Sequence, residues 1–156
     1  MPLETARRFL TLRRVALAGL SRDPKDFSHG VLEALEEAGL EVVPVHPTAA
    51  ELAGRPAYPR LSAISPPVDW ALLLVAPQAA DGVVADGLAA GLRRYWFHRG
   101  AGAGSASPAA LARCAEAGAE VVTDLCPFMV LPQQSFPHRL HAFFRRRSLA
   151  RAAAAR

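Results

Sequence analysis

Seven residues recur almost unchanged at two places, EAGLEVV from Glu37 and EAGAEVV from Glu116. In each, a helical pattern stops at a glycine and a β-branched apolar run follows at once. A helix that returns through so short a turn into a buried strand is half of a βαβ unit. Two such returns, with no other repeat, predict one parallel sheet rather than a solenoid.

Five short apolar segments fit that sheet: Val15–Leu20, Glu41–Val45, Trp70–Val75, Arg94–His98 and Glu120–Thr123. They are continuous rather than alternating, as strands covered on both faces are. The predicted class is therefore α/β, a doubly wound, five-stranded parallel sheet with helices on both faces. Between the strands, Ser28 is the expected cap of a helix that places Val31, Leu32, Leu35 and Ala38 on one face and stops at Gly39. Ser107 caps another, with Pro108 in its first turn and Gly118 at its end. The segment opening APQAADGVVADGLAAG is the weakest helix, because each internal glycine costs about 1 kcal/mol against alanine. The GAGAGSAS loop, Gly100–Ser107, follows the fourth strand.

At 156 residues and 51% hydrophobic, the chain suits one domain with a real core, residues 1–132. Residues 133–156 contain no acid, and Phe136, Leu140, Phe143 and Phe144 can share one face of an appended basic C-terminal helix. That face suits either a homodimer contact or docking back on the sheet. No apolar run is long enough to cross a membrane, and the basic, mildly amphipathic MPLETARRFLTLRR lacks the features of a secretory signal. Cys114 and Cys126 form neither a CxxC pair nor a disulfide framework, which points to a reduced cytoplasm and excludes cysteine-pair zinc binding.

In an open α/β sheet, ligands sit beyond the carboxyl ends of the strands. Those ends carry Gly19, Ser21, Arg22 and Lys25; His46-Pro47; Ala76-Pro77; His98-Arg99-Gly100; and Cys126-Pro127. Lys25 is the only lysine among eighteen lysines and arginines. Helix N-terminal amides with Ser21, Arg22 and Lys25 can take an anionic group. Each feature alone also suits an ordinary turn, and Ser21 is as good a turn hydroxyl as a phosphate ligand. A nicotinamide cofactor fits poorly. G-x-G-x-x-G is absent, and VPVHP offers no carboxylate for a ribose hydroxyl.

VALAGLSRDP, EVVPVHP, PVDWALLLVAP, YWFHRGAG and DLCPFMVLP, in this order and spacing, resemble the small stand-alone CoA-binding domain proteins of bacteria. The likeness spans about residues 12–132, and FPHRLHAFF resembles the tail of a subset of them. It implies a Rossmann-like sheet holding the ADP portion of CoA or an acyl-CoA. Gly19-Leu20-Ser21 then corresponds to the family's Gly-x-Ser phosphate turn, with Arg22 and Lys25 beside it. Val45-His46-Pro47 corresponds to its Val-Asn-Pro turn, with His46 in place of the asparagine, and Ala76-Pro77 to the turn beside the adenosine. Asp69 matches a structural acid at the head of the third strand. The same domain opens larger acyl-CoA and succinyl-CoA synthetase-like enzymes, whose phosphorylated histidine lies on a further domain, so ligase activity is not expected here.

Other chemistry finds less support. Cys126 suits a half-buried small side chain better than a thiol reacting with CoA, and Cys114 suits packing. His138 and His141 lie three apart on the tail, without the carboxylates or the HExxH pattern of a metal site. No nucleophile elbow or paired carboxylates appear. The expectation is a non-catalytic binding or sensor protein. The alternatives are an NAD(H)-binding redox domain and a nucleic-acid-associated protein using the arginine tail.

Overall fold

A computed structural model describes residues 1–99 and 102–131. Five parallel strands, β1 (Arg14–Ala18), β2 (Glu41–Val45), β5 (Trp70–Leu73), β6 (Arg94–His98) and β7 (Glu120–Leu125), lie in the order β2-β1-β5-β6-β7. Continuous apolar sequence becomes two-sided burial: all four residues of β5 are buried. Val15, Leu17, Trp70, Leu72, Trp96 and Val122 face one helical layer. Ala16, Ala18, Ala71, Leu73, Tyr95 and Phe97 face the other.

The first layer contains α1 (Pro2–Phe9) and α2 (Phe27–Glu37), and the second contains α3 (Pro77–Ala89) and α4 (Pro108–Glu116). The two repeated turns close as expected, with Gly39 at φ 90° and Gly118 at φ 64°, both in the left-handed region open to glycine. α3 is continuous despite its glycines. A Cβ at Gly87 would stand 2.5 Å from the Tyr95 hydroxyl, so this glycine lets α3 approach β6.

Several features were not legible in advance. The basic, amphipathic N-terminal segment is a helix: α1 buries Ala6 and Phe9, and Phe9 packs 5.6 Å from Trp70. A short antiparallel hairpin, β3 (Glu51–Leu52) and β4 (Arg55–Pro56), follows β2. Beyond it, Tyr58 donates to the Pro44 carbonyl and accepts from the His46 amide, covering the outer edge of β2. Two strands also end earlier than their apolar runs, β1 at Ala18 and β5 at Leu73. β7 runs on to Leu125 through an irregularity beside β6, and Asp124 there adopts φ 59°.

Among the described residues, no helix is long and apolar enough to cross a membrane. The expected C-terminal helix, with His138 and His141, lies outside the described residues, as does Gly100.

Candidate functional site

β1 and β5 are neighbours, yet the chain leaves β1 towards β2 on one side and β5 towards β6 on the other. This is where the winding reverses, the place at which a doubly wound sheet offers a crevice between two strand ends. Gly19 is the pivot. Its φ is 103°, and a Cβ there would stand 2.7 Å from the Leu74 carbonyl carbon and 2.8 Å from the Val75 nitrogen. The glycine is demanded by the chain leaving β5, whatever binds in front of it.

The turn after Gly19 is held mainly by its own side chains. Ser21 Oγ accepts from the Asp23 amide at 3.1 Å, and Asp23 Oδ1 accepts from the Lys25 amide at 2.9 Å. Asp26, not Ser28, caps α2, accepting from the Ser28 amide at 2.9 Å. Ser28 lies inside the first helical turn, and its oxygen reaches back to accept from the Ser21 amide at 2.9 Å. Its hydroxyl donates to Asp26 Oδ1 at 2.6 Å. These two bonds from Ser28, side chain first, hold the Asp26 carboxyl below its ordinary value. Buried His29 braces the turn from beneath, with Nε2 2.7 Å from the Ser21 carbonyl oxygen. A carbonyl can only accept, so this nitrogen carries a hydrogen. The imidazole therefore grips the backbone through Nε2.

The first and second turns are joined. Arg22 Nη2 donates to Thr48 Oγ1 at 2.8 Å. His46 Nδ1 accepts from the amides of Thr48 at 3.2 Å and Ala49 at 2.9 Å. Both bonds need that nitrogen unprotonated, which leaves the ring hydrogen on Nε2. His46 thus closes its turn as an asparagine oxygen would, and no carboxylate stands at this strand end. Pro47 is exposed beside it.

Across the crevice, Ala76 and Pro77 begin α3 with no side-chain cap on its N-terminus. The Leu74 amide donates to the Ala18 carbonyl at 2.7 Å, locking the two sides together. Gly19, Ser21, Arg22, Lys25, His46, Pro47, Ala76 and Pro77 therefore line one carboxyl edge. Leu20 is the exception: its side chain is 1% exposed in the core, leaving only its backbone to the crevice. Arg22 and Lys25 are exposed and form no ion pair among the described residues, unlike Arg8, Arg14, Arg55, Arg94, Arg99 and Arg113.

Towards β6 the edge turns apolar. Phe27, the first residue of α2, is 50% exposed and packs its ring 5.2 Å from His98 and 5.5 Å from Phe128. His98 Nε2 is buried without a hydrogen-bond partner among the described residues, and burial holds the ring below the ordinary histidine value. Phe27 lies away from any strand end, and Phe128 follows the Cys126-Pro127 strand end within the apolar run Leu125–Leu131, so nothing in the sequence marks the two rings as neighbours. Cys126 is half-buried and leads into the 3-10 turn Pro127–Met129, while Cys114 is fully buried and its thiol is pushed up to about 11 by burial.

Asp69 stands at the opposite, amino edge of the sheet and accepts from the Arg14 amide at 2.8 Å, a structural role. A groove of about 440 Å³ lined by Leu61, Asp69, Arg93 and Arg94 also lies at that far edge, away from the turn. Among the described residues no group of three or more His, Cys, Asp or Glu could hold a metal ion.

The family model described as a CoA binding domain matches residues 13–132. The uncharacterized protein YneT of Bacillus subtilis (strain 168) is 32% identical over 114 residues, which is 73% of this chain and 82% of that protein. A hypothetical protein from Pyrococcus horikoshii OT3 superposes with a TM-score of 0.75 at 28% identity, covering 82% of this chain and 88% of that one. A dinucleotide-forming acetyl-coenzyme A synthetase of Ca. Korarchaeum cryptofilum aligns with a TM-score of 0.59 at 28% identity, over 69% of this chain but 25% of the synthetase.

Proposed function

The chain belongs to the CoA binding domain family, and on that premise we propose that it binds CoA or an acyl-CoA by the ADP portion, as a non-catalytic binding protein. The observation that carries this reading is the pair of exposed cations, Arg22 and Lys25, without carboxylate partners among the described residues, at a turn beside the switch-point crevice. A phosphate there would take charge-assisted bonds from both, and the Ser21 hydroxyl keeps its own hydrogen to donate. The uncapped start of α3 adds backbone donors across the crevice. Asp23 and Asp26 place negative charge nearby, so the two cations are needed to make the turn attractive to an anion. On the far flank, the Arg22–Thr48 bond and the His46 turn give the ribose end of the ligand a polar wall.

Nicotinamide binding is less well supported, because His46 stands where a ribose-binding carboxylate belongs. This reading gives no side chain a catalytic role, and His29, the buried imidazole of the turn, holds a backbone carbonyl through Nε2.

A thermal-shift screen tests the reading. A ligand at about one hundred times its Kd stabilises by about 2.7 kcal/mol, or roughly 5–10 °C for a domain of this size. CoA and ADP are expected to give such a shift, and Lys25→Glu or Ser21→Asp to remove it. NADH stabilising while CoA is inert would overturn the proposal.

A further inference from the structure

The two flanks of the phosphate turn differ in chemistry. On the β2 side stand Arg22, His46 and Thr48, all polar and mutually bonded. On the β6 side stand Phe27, His98 and Phe128, contributed by α2, β6 and the 3-10 turn after β7. A ligand anchored by its phosphates at the turn extends both ways, and only one of its ends meets an apolar surface.

Phe27 is a costly residue at its position unless something covers it. It is the first residue of α2, next to the capping Asp26, and half of it is exposed. The ring is not loose: His98 and Phe128 hold it on two sides, and the Cβ position of Gly30 lies 3.6 Å from Phe128 Cζ. Met129, 72% exposed, carries the apolar area outward. His98 adds an independent sign, a buried ring nitrogen with no partner among the described residues. Such an atom is destabilising until something bonds it. The pantetheine arm of CoA carries two amides, polar groups of the kind that this nitrogen lacks.

We infer that Phe27, His98 and Phe128 form the subsite for the acyl end of the ligand, and that the preferred ligand is an acyl-CoA with an apolar acyl group rather than free CoA. This rests on the CoA reading above. The phosphates lie at the turn, the pantetheine amides pass His98, and the acyl group covers the exposed face of Phe27.

Calorimetry with ADP, CoA, hexanoyl-CoA and benzoyl-CoA tests it. The wild-type chain is expected to bind the acyl-CoAs about tenfold more tightly than CoA. In Phe27→Ser that ratio falls towards one, and in Phe27→Leu, which keeps an apolar surface, most of it remains. A wild-type ratio of one with ADP and CoA still binding overturns this inference and leaves the CoA reading standing. A tenfold ratio that persists in Phe27→Ser also overturns it. If neither ADP nor CoA binds, the reading beneath it fails and the inference falls with it.

Discussion

Gly19→Ala separates two explanations of why a glycine opens a ligand-binding turn. One holds that the ligand needs close access to the backbone, so the cost appears only in binding. The geometry here says that the chain leaving β5 needs it. The methyl group would fall 2.7 Å and 2.8 Å from backbone atoms of Leu74 and Val75, at φ 103°. Backbone tied to β1 through the Leu74 amide cannot give way as a side-chain tip can. The positive φ costs an alanine roughly 1–2 kcal/mol, and the overlap adds about 1–3 kcal/mol. Gly39→Ala is the internal control, since φ there is 90° but nothing lies within 4 Å of the Cβ position. It should lose only the conformational part. Urea unfolding of both variants without ligand measures the difference, expected at about 1–3 kcal/mol with Gly19→Ala the less stable. Equal stability of the two would refute the close-packing argument and return Gly19 to a purely ligand-facing role.

Two further outcomes follow from the titrating groups. Ser28 holds the folded Asp26 carboxyl below its ordinary 3.8, so its contribution is complete above that value and fades as pH falls through the lower folded value. Asp26→Ala should cost about 1 kcal/mol at neutral pH, as a lost cap does, with the gap from wild type narrowing in acid denaturation curves; a gap constant down the acid range would exclude the ionised cap. For the thiols, Cys114 is buried with its ionisation pushed up to about 11, while Cys126 is half-buried. Ellman labelling of the native protein at pH 8 should find Cys126 the faster, with Cys114 reacting at the rate of unfolding; equal rates would contradict the burial of α4 against the sheet.

The five strands were legible because parallel strands buried on both faces must be apolar throughout, and the two glycine returns fixed the helix-to-strand connections at Gly39 and Gly118. What escaped has physical reasons. Asp26 and Ser28 are both good caps, and only the fold decides which one lies outside the helix. α1 has few apolar residues, and its burial of Phe9 depends on Trp70, far along the chain. The glycine, hydroxyl and cations at the end of β1 were readable as a set, since they sit in one turn. That the hydroxyl of Ser21 also shapes its own loop was open in the sequence and is seen in the Asp23 amide bond. The aromatic shelf was not readable. Phe27, His98 and Phe128 belong to three distant segments, and their meeting is a product of the strand order.

Titration calorimetry of the wild-type chain with CoA and with NADH, side by side in one buffer, tests the central claim most directly. The account predicts that CoA binds and that Lys25→Glu removes the binding, while NADH gives no heat beyond dilution. Binding of NADH with none by CoA would contradict it.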